Sequence, residues 1–173
     1  MKGLFAFTLA GALVLPWSGS QVRAAEAAQA SLLGNGGDEI GKVELRGGSG
    51  PTVLRITVPA GKVTPGWHGL HLHAVGDCSD HEKFQASKAH VNHGGRKHGL
   101  LNAEGPDDGD LANVFAAADG SVNAEVSSPT PLTSPDGLRD ADGSALVMHA
   151  GEDDHSSQPI GGAGARIGCA VIK

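Results

Sequence analysis

Residues 51–78 read PTVLRITVPAGKVTPGWHGLHLHAVGDC, and the pattern of this stretch decides the fold. Over Val53 to Val58 the chain alternates strictly, so that Leu54, Ile56 and Val58 share one face. Such a period of two belongs to a half-buried strand rather than a helix. Pro59, Gly61, Pro65 and Gly66 then break the chain before a second extended run, Trp67 to Ala74. Within that run His71 and His73 are separated by one apolar residue. On a strand they project from the same face, while Leu72 points the other way, toward a core. Same-face neighbours lie roughly 6–7 Å apart along the backbone, close enough for both imidazoles to meet one metal ion.

The same punctuation continues outward in both directions. Gly and Pro recur at short intervals, and no long stretch keeps a helical period. Val43-Glu44-Leu45-Arg46 alternates. Leu111 to Ala117, the turn Asp119-Gly120 and the alternating Val122, Ala124 and Val126 read as two strands joined by a tight turn. Ala145 to His149 and Gly168 to Ile172 complete the set, and the chain is expected to be all-β, a sandwich or barrel. Residues 75–110 and 150–167 resist strand assignment. They are rich in Gly, His and Asp, and loops this long are usually functional.

At the N-terminus, Met1-Lys2 is followed by an apolar run to Pro16 and a small-x-small site at Val22-Arg23-Ala24. Residues 1–24 therefore read as a secretory signal peptide, whose apolar run is too short to span a bilayer comfortably. Residues 25–40, Ala- and Gly-rich without periodicity, read as a flexible leader, and residues 41–173 as one domain of ordinary size. The chain carries a formal charge of −6 at pH 7. Losing residues 1–24 removes Lys2 and Arg23 and no acid, making it more acidic still. Nucleic acid and anionic membrane surfaces are thereby excluded as natural partners of the mature chain, and no membrane insertion is expected.

Only two cysteines occur, Cys78 and Cys169. In an exported chain the default expectation is one disulfide, closing a loop of about 90 residues and contributing on the order of 4–5 kcal/mol in the chain-entropy model. A soft metal site made by both thiolates is the alternative, although no Cys-x-x-Cys spacing supports it. Nine histidines stand in a chain without tyrosine. Beyond His71 and His73, His90 and His98 lie in the first long loop, Asp107 and Asp110 close it, and His149 ends a strand. Four imidazoles suit copper in both redox states, whereas a mixed imidazole–carboxylate set suits zinc. His68 is out of phase with the pair and reads as structural; His81 and His155 read as solvated loop residues.

The segments Gly66-Trp67-His68-Gly69-Leu70-His71-Leu72-His73 and Gly161 to Ile172 (GGAGARIGCAVI) resemble the two signature regions of the Cu/Zn superoxide dismutases, closest to the secreted bacterial branch. Ser87-Lys88-Ala89-His90, Lys97-His98-Gly99, Gly105-Pro106, Gly109-Asp110-Leu111 and Met148-His149-Ala150-Gly151 follow the family's order, and the resemblance runs from about Gly41 to the C-terminus. It implies a Greek-key β-sandwich or flattened barrel with two long functional loops. It implies copper held by His71, His73, His90 and His149, with His90 bridging to a zinc held also by His98 and Asp110. Cys78 and Cys169 fall on the family disulfide, Arg166 beside the open copper position, and Asp153 on the carboxylate linking a copper-site and a zinc-site histidine. The implied reaction is dismutation of superoxide in an exported, periplasmic protein. The alternative is an exported copper/zinc chaperone or buffer without turnover.

One departure matters. Asp107 stands where the family places its third zinc histidine, and His93 where proline is usual. Carboxylate oxygen binds zinc, so His90, His98, Asp107 and Asp110 form the expected zinc set, with weaker or less selective zinc binding. Lys88, Arg96 and Lys97 are the candidates to offset the acidic run Glu152-Asp153-Asp154 near the site.

Overall fold

A computed structural model describes residues 25–173. The proposed signal peptide, residues 1–24, lies outside the described residues. The described chain forms nine strands, β1 Glu26–Gly34, β2 Glu39–Gly47, β3 Thr52–Val58, β4 Gly66–His68, β5 Leu70–His73, β6 Val114–Ala116, β7 Val122–Ser128, β8 Ser144–His149 and β9 Arg166–Ile172. A single 3₁₀ turn, Gln85–Ser87, is the one helical element among them.

Seven strands form one antiparallel sheet in the order β5-β8-β9-β1-β2-β3-β7, and β4 pairs with β6 in a second, two-stranded sheet. β4 leads through Gly69 into β5 at one end of the large sheet. β6 turns at residues 117–121 into β7 at the other end, so the β4–β6 pair spans the gap between the two edges. The connections from β3 to β5 and from β7 to β8 cross from one end of the sheet order to the other, as Greek-key topology requires. The all-β expectation is met.

The period-two pattern translates directly into burial. β3 alternates buried and exposed from Thr52 to Val58, and β2 does so from Lys42 to Gly47. Leu45, Leu54, Ile56, Leu72, Leu146 and Met148 join one core cluster with Leu32 of β1. Burying a side chain of this size stabilises by about 1.5–3 kcal/mol. A smaller cluster places Phe84 against Ala145, Val147 and the cysteines Cys78 and Cys169. Those cysteines form a disulfide with a Cα–Cα distance of 5.8 Å and a sequence separation of 91.

One expectation needs correction. Residues 26–34 are not a flexible leader but β1, paired with β2 from Glu26 to Leu33 and with β9 at Leu33 and Gly34. Its inward positions include Ala28 and Ala30, packed on the core. Alanine contributes so little apolar contrast that the alternation is nearly invisible. The turn after Ala117 forms, with Ala117 N–H donating to Ser121 O. However, its flanking strands do not pair as a hairpin: β6 pairs with β4 and β7 with β3.

Candidate metal centre

The site is assembled on β5, the edge strand. His71 and His73 lie opposite Val147 and Ala145 of β8, so His149, at the end of β8, comes level with them. The pairing of β8 with β9 skips Ile167, and this bulge sets His149 opposite Arg166. Such irregularities re-aim side chains at the ends of strands. On the free side of β5 the loop of residues 74–113 returns alongside: Leu72 N–H donates to Gly109 O, Val91 N–H donates to Leu72 O, and bridges form at His71–Asp110 and His73–His90. His90, His98, Asp107 and Asp110 are thereby laid against the histidines of the strand.

Two donor clusters result. His71, His73 and His149 have ligand-type nitrogens within 4.8 Å of one another, and so do the donor atoms of His90, His98, Asp107 and Asp110. His90 connects the two, its ring centroid 4.2 Å from that of His71 and 5.1 Å from that of His73. His71, His73, His98, Asp107, Asp110, His149 and Asp153 are all buried.

Hydrogen bonding then divides each ring into a held side and an open side. His71 Nε2–H donates to Asp153 Oδ2 at 2.8 Å, His73 Nδ1–H to Lys88 O at 2.7 Å, and His149 Nδ1–H to Gly164 O at 3.0 Å. His90 Nδ1–H donates to Asp107 Oδ2 at 2.9 Å. The opposite nitrogens, His71 Nδ1, His73 Nε2, His90 Nε2 and His149 Nε2, are buried and have no hydrogen-bond partner. Four desolvated, unpartnered lone pairs, three of them within 4.8 Å of one another and the fourth on the His90 ring beside His71, carry a large cost unless a cation takes them. These donors fit copper. The second cluster, two imidazoles and two carboxylates, fits zinc.

Burial makes the rings poor bases. It lowers the pKa of His71 and of His149 to about 4, and that of His73, which also faces Arg166, to about 2. For Asp153, burial pushes upward, but the bonds from His71 and the His155 N–H outweigh it and hold the carboxyl at about 2. In the metal-free protein the three histidines stay neutral when folded, while unfolded histidine protonates near pH 6.5. Below pH 6.5 the unfolded chain therefore takes up protons that the folded chain does not, and stability falls progressively toward pH 4. Asp153 adds to the loss as pH falls below about 4 toward 2. Urea denaturation of metal-free protein should show a clearly lower midpoint at pH 5 than at pH 7.5; equal midpoints would contradict these assignments.

Arg166 donates from Nη1 to Phe84 O at 2.7 Å and to Ser87 Oγ at 3.1 Å, and from Nη2 to Lys88 O at 2.9 Å. The Lys88 carbonyl thus holds both Arg166 and His73. Phe84 and Lys88 have φ of 52° and 65°, a backbone conformation uncommon outside glycine, and this turns their carbonyls toward the site. Arg166, Arg96, His73, His90, His98 and Asp107 line a cleft of about 330 Å³ leading to the cluster. A larger groove of about 470 Å³, near Asp38 and Lys62, contains none of these donors.

The remaining residues singled out in the sequence divide cleanly. His68 spans the carbonyls of His149 and Thr64 at 2.7 and 2.8 Å, a structural role. His93 is exposed, 3.6 Å from Asp108, and joins neither cluster. Lys97 is engaged by Glu104, leaving Arg96 as the cation beside Arg166 in the cleft. His155 is not solvated: its N–H donates to Asp153 Oδ1 and its Nε2 accepts from Asn113 Nδ2. Asn113 escaped the sequence reading altogether. Its Nδ2 donates to Asp153 O at 2.8 Å, and Asp153 N–H donates to its Oδ1 at 3.0 Å, clamping that residue. Across 40 residues of chain no local pattern signals such a contact.

The fold and site define an all-β metalloprotein with two donor clusters side by side, His90 of one lying against His71 of the other. Residues 39–172 match the family described as copper/zinc superoxide dismutase (SODC). The chain is 52% identical over 116 residues to a Cu-Zn superoxide dismutase of Caulobacter vibrioides, a match covering 64% of this chain and 66% of that relative's length. It is 37% identical over 150 residues to Cu-Zn superoxide dismutase 2 of Aquifex aeolicus, covering 84% and 86%. The solved Cu/Zn superoxide dismutase of Brucella abortus superposes with a TM-score of 0.68 at 29% identity, covering 86% of this chain and all of that one. The chain belongs to the copper/zinc superoxide dismutase family.

Proposed function

We propose that this chain is a superoxide dismutase, converting superoxide to dioxygen and hydrogen peroxide. Copper is assigned to His71, His73, His90 and His149, and zinc to His90, His98, Asp107 and Asp110. The observation that carries this reading is the set of four buried, unpartnered imidazole nitrogens beside a cleft that Arg166 lines. Copper, when bound, supplies a reversible one-electron change, so that one superoxide is oxidised and the next reduced.

The protein's own groups do the rest. Arg166, fixed by three hydrogen bonds, presents a permanent positive charge to an anionic substrate. His90 Nε2 faces the same region and is the atom placed to carry a proton to the second superoxide. Asp153 reaches His71 Nε2 and His98 Nε2 with its two oxygens, fixing one ring of each cluster. A metal buffer has no use for a fixed cation at the mouth of its site, and this favours turnover over storage.

The test is dismutase activity of the copper-loaded protein, with Arg166→Leu beside the wild type. Turnover is expected, and the variant should lose about 10-fold or more of its rate with its copper content unchanged. Full copper occupancy without turnover would defeat the enzyme reading. The Cys78–Cys169 disulfide and the apolar run of residues 3–16 support export to the periplasm. No helix among the described residues is long and apolar enough to cross a membrane.

A further inference from the structure

Three of the four rings around the unpartnered nitrogens are held from behind by protein oxygen: His71 by Asp153, His73 by Lys88 O and His149 by Gly164 O. His90 is held in the same manner, by Asp107 Oδ2 at 2.9 Å, whereas the nearer oxygen of Asp110 lies 3.7 Å away and is engaged by His98 Nδ1. Asp107 is itself fixed by the chain. Its Oδ1 accepts from Gly109 N–H at 3.0 Å, its own N–H donates to Asp110 Oδ2 at 3.0 Å, and it is 5% exposed. A histidine at this position would offer no anionic acceptor, and a second cation would be needed to orient His90 from behind. A short, backbone-anchored carboxylate removes that need.

We propose that Asp107 is a positioning residue that substitutes for the second metal, holding His90 through Nδ1–H so that Nε2 faces His71 and His73 whether or not zinc is bound. The copper half of the site is thereby uncoupled from the zinc half. This rests on the copper assignment made above and goes beyond it, because it makes the departure from the family pattern a gain for one site. The carboxylate still lies within reach of a cation shared with His98 and Asp110. His90, His98, Asp107 and Asp110 would hold zinc there, on a His90 ring that Asp107 has already oriented.

The test is a titration of metal-free protein with copper alone and with copper plus zinc. It is read by metal content, by copper affinity against a competing chelator, and by the electron paramagnetic resonance spectrum of Cu(II). Wild-type protein should give the same nitrogen-dominated Cu(II) spectrum with and without zinc, and copper affinities within about threefold. Asp107→Ala should weaken copper binding to the zinc-free protein by about 10- to 100-fold and alter its spectrum. Asp107→Asn keeps only one of the two acceptors, because Oδ1 and Oδ2 each take a hydrogen bond, and should fall between the wild type and Asp107→Ala. Asp107→His should retain zinc more tightly and show a Cu(II) spectrum that changes when zinc is withheld.

A wild-type spectrum that changes on zinc omission as much as that of Asp107→His would overturn the proposal, and so would an Asp107→Ala variant that binds copper without zinc as tightly as the wild type. Failure of wild-type protein to bind copper through nitrogen under either condition would instead overturn the copper assignment. The two failures are therefore distinguishable.

Discussion

Gly161→Ala is expected to lose both metals, with affinities falling by about 10- to 100-fold, the range typical when groups supporting metal ligands are disturbed. Gly161 has φ of +58°, and a Cβ placed there would sit 1.6 Å from Asp153 Oδ1 and 2.9 Å from the backbone nitrogen of Asp154. A flexible, solvated carboxylate could swing aside. Asp153 cannot, because it is 1% exposed and accepts from His71 Nε2, His98 Nε2 and His155 N–H. The neighbouring backbone is tied as well, with Asp154 N–H donating to Gly161 O. The methyl group must therefore break the bridge between the two clusters. Titration of the metal-free variant with each metal against a competing chelator checks this, and wild-type affinity for both would refute it. Asp153→Ala should reproduce the same double loss without touching the loop backbone.

Loss of the Cys78–Cys169 disulfide is the second large effect. Opening a loop with a sequence separation of 91 removes about 4–5 kcal/mol in the chain-entropy model. That is a large share of the ~5–15 kcal/mol net stability usual for a domain. The bond also reaches the chemistry. It packs with Phe84, whose carbonyl accepts from Arg166, and the same loop carries Lys88 O, the acceptor for both Arg166 and His73. Reduced protein should therefore unfold at lower urea, and should lose activity even at temperatures where circular dichroism shows it still folded. Unchanged turnover in reduced, folded, copper-loaded protein would show that the loop holds Arg166 without the bond.

The fold was legible wherever burial produces a large apolar contrast. Leu54, Ile56 and Val58 announced β3, and the His71–His73 spacing placed two rings on one face of β5. β1 was missed because Ala28 and Ala30 fill its inward positions. The two strands and tight turn around Asp119-Gly120 were legible because they are local, whereas the pairing partners of β6 and β7 lie some 50 and 70 residues away in the chain. At the site, residue chemistry singled out the donors His71, His73, His90, His98, Asp107, Asp110 and His149, and family resemblance sorted them between copper and zinc and flagged Asp107 as the departure. What Asp107 holds could not be read from its position, since the bond to His90 exists only after residues 74–113 fold back along β5. The clamp of Asn113 on Asp153 was hidden for the same reason.

That return of the loop along β5 has a consequence for solubility. β5 ends the seven-stranded sheet, and an edge strand offers unpaired backbone groups as a template for another chain. Here Leu72 is occupied on its free side by Gly109 and Val91, and Ala74 N–H donates to Ala89 O. The segment that gathers the metal donors is also the cover over this end of the sheet. Anything that loosens it uncovers a strand edge. Metal-site integrity and resistance to aggregation are therefore properties of one stretch of chain.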